Sequence, residues 1–99
     1  VHNSVRQLLG LTSRARKNVT GETLLQSIRQ GEVSLVIIAT DASENSSKKI
    51  RDKCTYYNVQ YIIYGTTLEI SHAIGKINRV AVGIIDKGFA KKIKEEIGG

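Results

Sequence analysis

The sequence predicts an α/β protein: a three-layer α/β/α sandwich in which helices cover both faces of a mixed sheet of about four strands. Three observations carry this. Apolar residues at helical spacing alternate along the whole chain with short runs rich in β-branched residues, the order expected when helices and strands follow one another in turn. One run, Leu35-Val36-Ile37-Ile38-Ala39, is apolar at every position, which marks a strand covered on both faces. Ninety-nine residues at 40% apolar content supply one core and not two, and no linker, repeat or proline divides them, so residues 1–99 are expected to form one domain.

The elements follow in order. Val5, Leu8 and Leu9 give a first helical face, which Gly10 is expected to loosen or end. A short extended piece over residues 17–19 leads to Thr20, a plausible N-cap for a second helix that buries Leu24, Leu25 and Ile28 and stops near Gly31. The run at 35–39 is then a central strand, and residues 41–47 supply turn and cap residues. Ile50, Cys54 and Tyr57 stripe a third helix, whose outer face carries Lys48, Lys49, Arg51 and Lys53. Residues 61–64 form a short strand, and Gly65 and Thr67 punctuate it. Leu68, Ile70, Ala73, Ile74 and Ile77 line a fourth helix; residues 80–85 form the last strand, and Phe89, Ile93 and Ile97 stripe a closing helix.

Catalytic chemistry has little to stand on. Cys54 falls on an apolar stripe and reads as a buried thiol, and one cysteine cannot make an internal disulfide. His2 and His72 have no second ligand at metal-site spacing, and neither a Gly-x-Gly-x-x-Gly pattern nor a Gly-Lys-Ser/Thr loop appears. No cofactor, metal or catalytic residue is expected. No apolar run approaches the roughly 18 residues of a membrane span, and no signal-peptide core precedes the first helix, so the expectation is a cytoplasmic chain without a membrane partner.

The charge points elsewhere. Fifteen Lys and Arg against nine Asp and Glu leave a formal charge of +6, which favours polyanionic partners. Arg14, Arg16 and Lys17 precede the helix start at Thr20-Gly21, where unsatisfied backbone N–H groups and the positive end of the helix dipole favour a phosphate. Gly21 has no side chain to hold a nucleic-acid backbone away. Lys76, Asn78 and Arg79 form a second cluster before the last strand. If both clusters lie at one end of the sheet they make a clamp. The basic run at 48–53 reads first as a solvated helix face.

Several separated segments agree, in order, with one family. Residues 31–42, GEVSLVIIATDA, and residues 70–76, ISHAIGK, resemble the kink-turn RNA-binding ribosomal proteins, the group of the archaeal large-subunit protein L-seven-Ae and its L-thirty-e relative. The segments Arg14-Ala15-Arg16-Lys17, Asp41-Ala42-Ser43-Glu44-Asn45 and Asp86-Lys87-Gly88-Phe89-Ala90-Lys91 resemble its small bacterial members most. The likeness spans roughly residues 4–97.

The resemblance implies a non-enzymatic domain that clamps a kink-turn, a bent RNA helix with tandem sheared G·A pairs, with ribosomal RNA and the ribosome as candidate partners, and that is a monomer when free. The family's first contact segment falls on Thr20, Gly21, Glu22, Thr23 and Gln26, and the second, which covers a flipped-out nucleotide, on Gly75, Lys76, Ile77, Asn78 and Arg79. Ile77 either packs on that nucleotide or is the last core residue of its helix. The chain departs from the pattern at Glu22, where other members place Asn or Lys, and at Ser71, where many have Gly. Glu22 is the residue that most favours the alternative, a protein–protein interaction module of the same fold that has lost specific RNA binding.

Overall fold

The computed structural model describes residues 2–98. Its elements alternate as the sequence predicts: α1 (Asn3–Arg14), β1 (Asn18–Val19), α2 (Gly21–Arg29), β2 (Leu35–Ile38), α3 (Glu44–Tyr56), β3 (Tyr61–Ile63), α4 (Thr67–Ala73), β4 (Ala81–Ile84) and α5 (Lys87–Gly98). The sheet has the order β1-β4-β2-β3. β4 runs antiparallel to both β1 and β2, and β2 runs parallel to β3, so the sheet is mixed.

The uninterrupted apolar run of β2 is explained by what lies on each side. Leu35 and Ile37 face a core built with Val5 and Leu9 of α1, Ile70 of α4 and Ile93 of α5. Val36 and Ile38 face the opposite way, onto Leu24 and Ile28 of α2 and Ile50 and Cys54 of α3. Successive strand residues point to opposite faces, and here both faces are roofed by helices. The result is the α/β/α sandwich, with α1, α4 and α5 in one outer layer and α2 and α3 in the other.

Two sequence expectations need correction. Gly10 does not end α1, which continues to Arg14. A glycine inside a helix costs roughly 0.5–1 kcal/mol against alanine, which burial of Val5, Leu9 and Thr12 on the same helix outweighs. Its bare backbone faces α4, where an added Cβ would sit 3.6 Å from the Ala73 carbonyl. The second correction concerns α4, which stops at Ala73, and whose Leu68 and neighbouring Ile77 are 80% and 79% exposed rather than part of the core.

The ends of α1, α2 and α4 close in the same way. In each, the residue after the C-cap has positive φ and donates three residues back, while the next residue donates five residues back, which satisfies carbonyls the helix leaves open. Gly31 and Gly75 hold the positive-φ position in α2 and α4; in α1 it is Arg16, at φ 57°.

Candidate nucleic-acid interface

Thr20 sits at the N-cap of α2 in extended conformation, yet its side chain makes no capping hydrogen bond. Its Oγ1 instead accepts from Arg79 Nε at 3.1 Å. That bond spans the two predicted segments and holds the α4–β4 loop against the start of α2. The first N–H groups of α2 are thereby left without a side-chain partner, beside the positive end of the helix dipole. Gly21 opens the helix at φ 61°, and an added Cβ there would meet nothing within 4 Å, so the demand for glycine in the free protein is conformational.

The α4–β4 loop is anchored from below by Ser71, a buried side chain that sequence reasoning marks only as a departure from the family pattern. Its hydroxyl accepts from the Arg79 N–H at 2.8 Å and donates to the Arg79 carbonyl at 3.2 Å. Arg79 Nη1 donates to the Ile77 carbonyl at 3.0 Å, so the guanidinium is fixed by its own loop and by Thr20 together. On the other side, Asn18 Nδ2 donates to Thr12 Oγ1 at 3.0 Å and Ser13 Oγ at 2.9 Å, and Ser13 Oγ donates to the Ile74 carbonyl at 3.0 Å. These bonds tie the C-terminal ends of α1 and α4 to β1.

The N-terminus of α2 forms a ridge between two concavities. One, of about 440 Å3, is lined by Arg16, Asn18, Thr20, Thr23, Gly75 and Lys76. The other, of about 340 Å3, is lined by Gly21, Glu22, Lys49, Asn78 and Arg79 with apolar residues at its base. Of the thirteen residues predicted to contact a ligand, nine therefore line this pair. Arg14 faces a separate groove between α1 and α4, and Ile77 lines a further hollow with Leu68. Gln26 and Lys17 are exposed but line neither concavity; the Lys17 carbonyl accepts from the Ile85 N–H.

The structure separates Lys49 from the solvated basic face of α3. Lys48 pairs with Asp52 at 3.0 Å and Arg51 with Glu44 at 3.1 Å, ordinary surface pairs, whereas Lys49 lines the concavity of Glu22 and Arg79. Only the packing of α3 beside α2 reveals this, and no spacing in the sequence signals it.

Other reactive groups are committed or inert. Burial pushes the Cys54 thiol up to about 11, which keeps it protonated at neutral pH. The Thr67 hydroxyl and amide donate to Asp41 Oδ1 at 2.7 and 2.8 Å and hold its carboxyl below the usual value. Among the described residues no group of three or more His, Cys, Asp and Glu is placed to hold a metal ion. None of their helices is long and apolar enough to cross a membrane.

Residues 3–94 match the model of the ribosomal protein L7Ae/L30e/S12e/Gadd45 family. The chain belongs to that family. It is 46% identical over 87 residues to the RNA-binding protein YlxQ of Bacillus subtilis (strain 168), a match covering 87% of each chain. It is 47% identical over 93 residues to the RNA-binding protein YlxQ of Enterococcus faecium, covering 93% of this chain and 89% of that one. Among solved structures, a protein with unknown function from Bacillus halodurans C superposes with a TM-score of 0.92 at 36% identity, over 99% of this chain and 100% of that one. A Giardia lamblia 15.5kD RNA binding protein superposes with a TM-score of 0.75 at 19% identity, over 96% of this chain and 82% of that one, a likeness of fold alone. Membership of the L7Ae/L30e/S12e/Gadd45 family agrees with the resemblance that the segments 31–42 and 70–76 carry, and the sandwich is the fold it implies.

Proposed function

We propose that this member of the L7Ae/L30e/S12e/Gadd45 family is a non-enzymatic binder of sharply bent RNA of the kink-turn kind, acting as a cytoplasmic, ribosome-associated protein that is monomeric when free. The observation that carries the reading is the Arg79–Thr20 bond, which joins a cationic loop to an uncapped helix N-terminus. The names of the two YlxQ relatives point the same way.

In this reading Arg16 and Lys76 neutralise phosphates in the first concavity while the open amides of α2 sit in the groove of the RNA. Glu22 and Asn78 face the second concavity, where the carboxylate accepts from base amino groups; it cannot donate to guanine O6, so Asn78, Lys49 and Arg79 supply the donors there. Ile77 and Leu68, exposed on the loop and beside it, pack on an extruded nucleotide. Selectivity comes from the bend, which presents phosphates and splayed bases to two concavities at once, rather than from a linear sequence.

Titration with a kink-turn RNA and with a straight duplex of equal length tests this. Tighter binding of the bent RNA at the same salt is the expected result. Equal, salt-sensitive binding to both leaves only polyanion attraction and ends the reading.

A further inference from the structure

Beside the first concavity, α1 and α4 enclose a groove of about 550 Å3 lined by Arg6, Gln7, Gly10, Arg14 and His72. Arg6, Gly10 and Arg14 stand at i, i+4 and i+8, so they share one stripe of α1, and α1 contains no carboxylate. The side chains of Arg6, Arg14 and His72 are exposed and have no ion-pair or hydrogen-bond partner among the described residues. Three cations elsewhere on the helices are engaged, by contrast: Lys48 with Asp52, Arg51 with Glu44, and Lys94 with Gln60 at 2.7 Å. The groove is thus an uncommitted positive surface, and Gly10 on its wall keeps the helix backbone approachable.

The groove and the first concavity share a wall. Ser13 and Ile74, joined by their 3.0 Å hydrogen bond, line the concavity, and their chain neighbours Arg14 and Ala73 line the groove. From Arg6 to Arg14 is about 12 Å of helix axis. A DNA duplex carries one phosphate per roughly 3.4 Å of axis on each strand and an A-form RNA helix spaces them more closely, so that length faces a run of at least about three.

Resting on the RNA reading above, we infer that the α1–α4 groove is a second phosphate-binding site of the same interface, which takes the backbone of one RNA arm as it leaves the bend through Arg6, Arg14 and His72. The site adds affinity without base reading, because its donors are mobile cations on a helix flank.

The test uses the full chain and kink-turn RNAs in which each arm in turn is either short or extended by one helical turn, with binding followed by fluorescence anisotropy at fixed salt. The wild type should gain affinity when one particular arm is extended. Replacing Arg6→Gln and His72→Gln together should cost on the order of tenfold with that extended RNA and leave the short RNA unaffected. Gln7→Glu, which puts a carboxylate in the groove, should have the same selective effect, and all three side chains are exposed, so thermal melts should match the wild type. Variants that bind the extended RNA as the wild type does, or that lose equally on short and extended RNAs, overturn the inference while a preference for bent RNA still stands. A wild type indifferent to the bend sinks the earlier reading and this one with it.

Discussion

Arg16 occupies the left-handed position that closes α1, where an L-residue pays roughly 1–2 kcal/mol that glycine does not. The equivalent positions are glycines in α2 and α4 and Asn58, at φ 59°, in α3, so of these four helix ends α1 alone puts a cation there. On the proposed RNA reading, arginine at the rim of the first concavity trades stability for a charge that meets a phosphate. Arg16→Gly should therefore raise stability by up to about 1 kcal/mol or leave it unchanged, less the added freedom of the unfolded chain, while weakening RNA binding on the order of tenfold. Paired urea melts and binding titrations read both effects; loss of stability together with unaltered affinity would remove Arg16 from the interface. The sequence disclosed the charge at this position and not its backbone conformation, because the bonds from Arg16 and Lys17 back to Ser13 and Thr12 exist only once the helix has run past Gly10.

At the scale of elements, helix and strand order was legible because periodicity directly reflects which face is buried. Ends were less so. Leu68 and Ile77 keep helical spacing with Ile70, Ala73 and Ile74, but α4 turns off at Gly75, and those two apolar side chains stay outside. Thr20 was recognisable as a cap residue by type, yet the partner of its hydroxyl lies 59 residues away in Arg79, a contact that no local pattern encodes. The start of α4 is fixed from an equally distant place. Thr66 and Glu69 form a reciprocal capping box, and Asp41, in the turn that follows β2, accepts from both the N–H and the hydroxyl of Thr67. With its folded value lowered by Thr67, Asp41 stabilises the fold at pH above its unfolded value and loses that contribution as the pH falls through the folded one. Asp41→Asn should lower Tm at neutral pH and flatten its fall in acid, so that the two melting curves converge below the carboxylate range. Curves that stay parallel from neutral to acid pH would show that the Thr67 tether does not contribute.

The whole molecule places its charge unevenly, and that distribution, more than the total of +6, should govern function. The sandwich brings the start of α2, the ends of α1 and α4 and one residue of α3 to a single region, gathering Arg16, Lys49 and the pair Lys76 and Arg79 from three separate stretches of sequence. Both clusters were visible in the sequence; their shared location was not, because it depends on β1 and β2 flanking β4 in the sheet. Two double variants with the same loss of charge separate location from total. Arg16→Gln with Lys76→Gln should flatten the slope of log K against log salt by about 1–2 units, since each phosphate contact releases roughly 0.7–0.9 of a counterion. Lys48→Gln with Lys94→Gln removes cations that line neither concavity and are already engaged with Asp52 and Gln60, so its slope should stay near that of the wild type. If both pairs flatten the slope equally, the RNA responds to net charge alone, and the paired concavities on either side of the α2 N-terminus have no privileged part in binding.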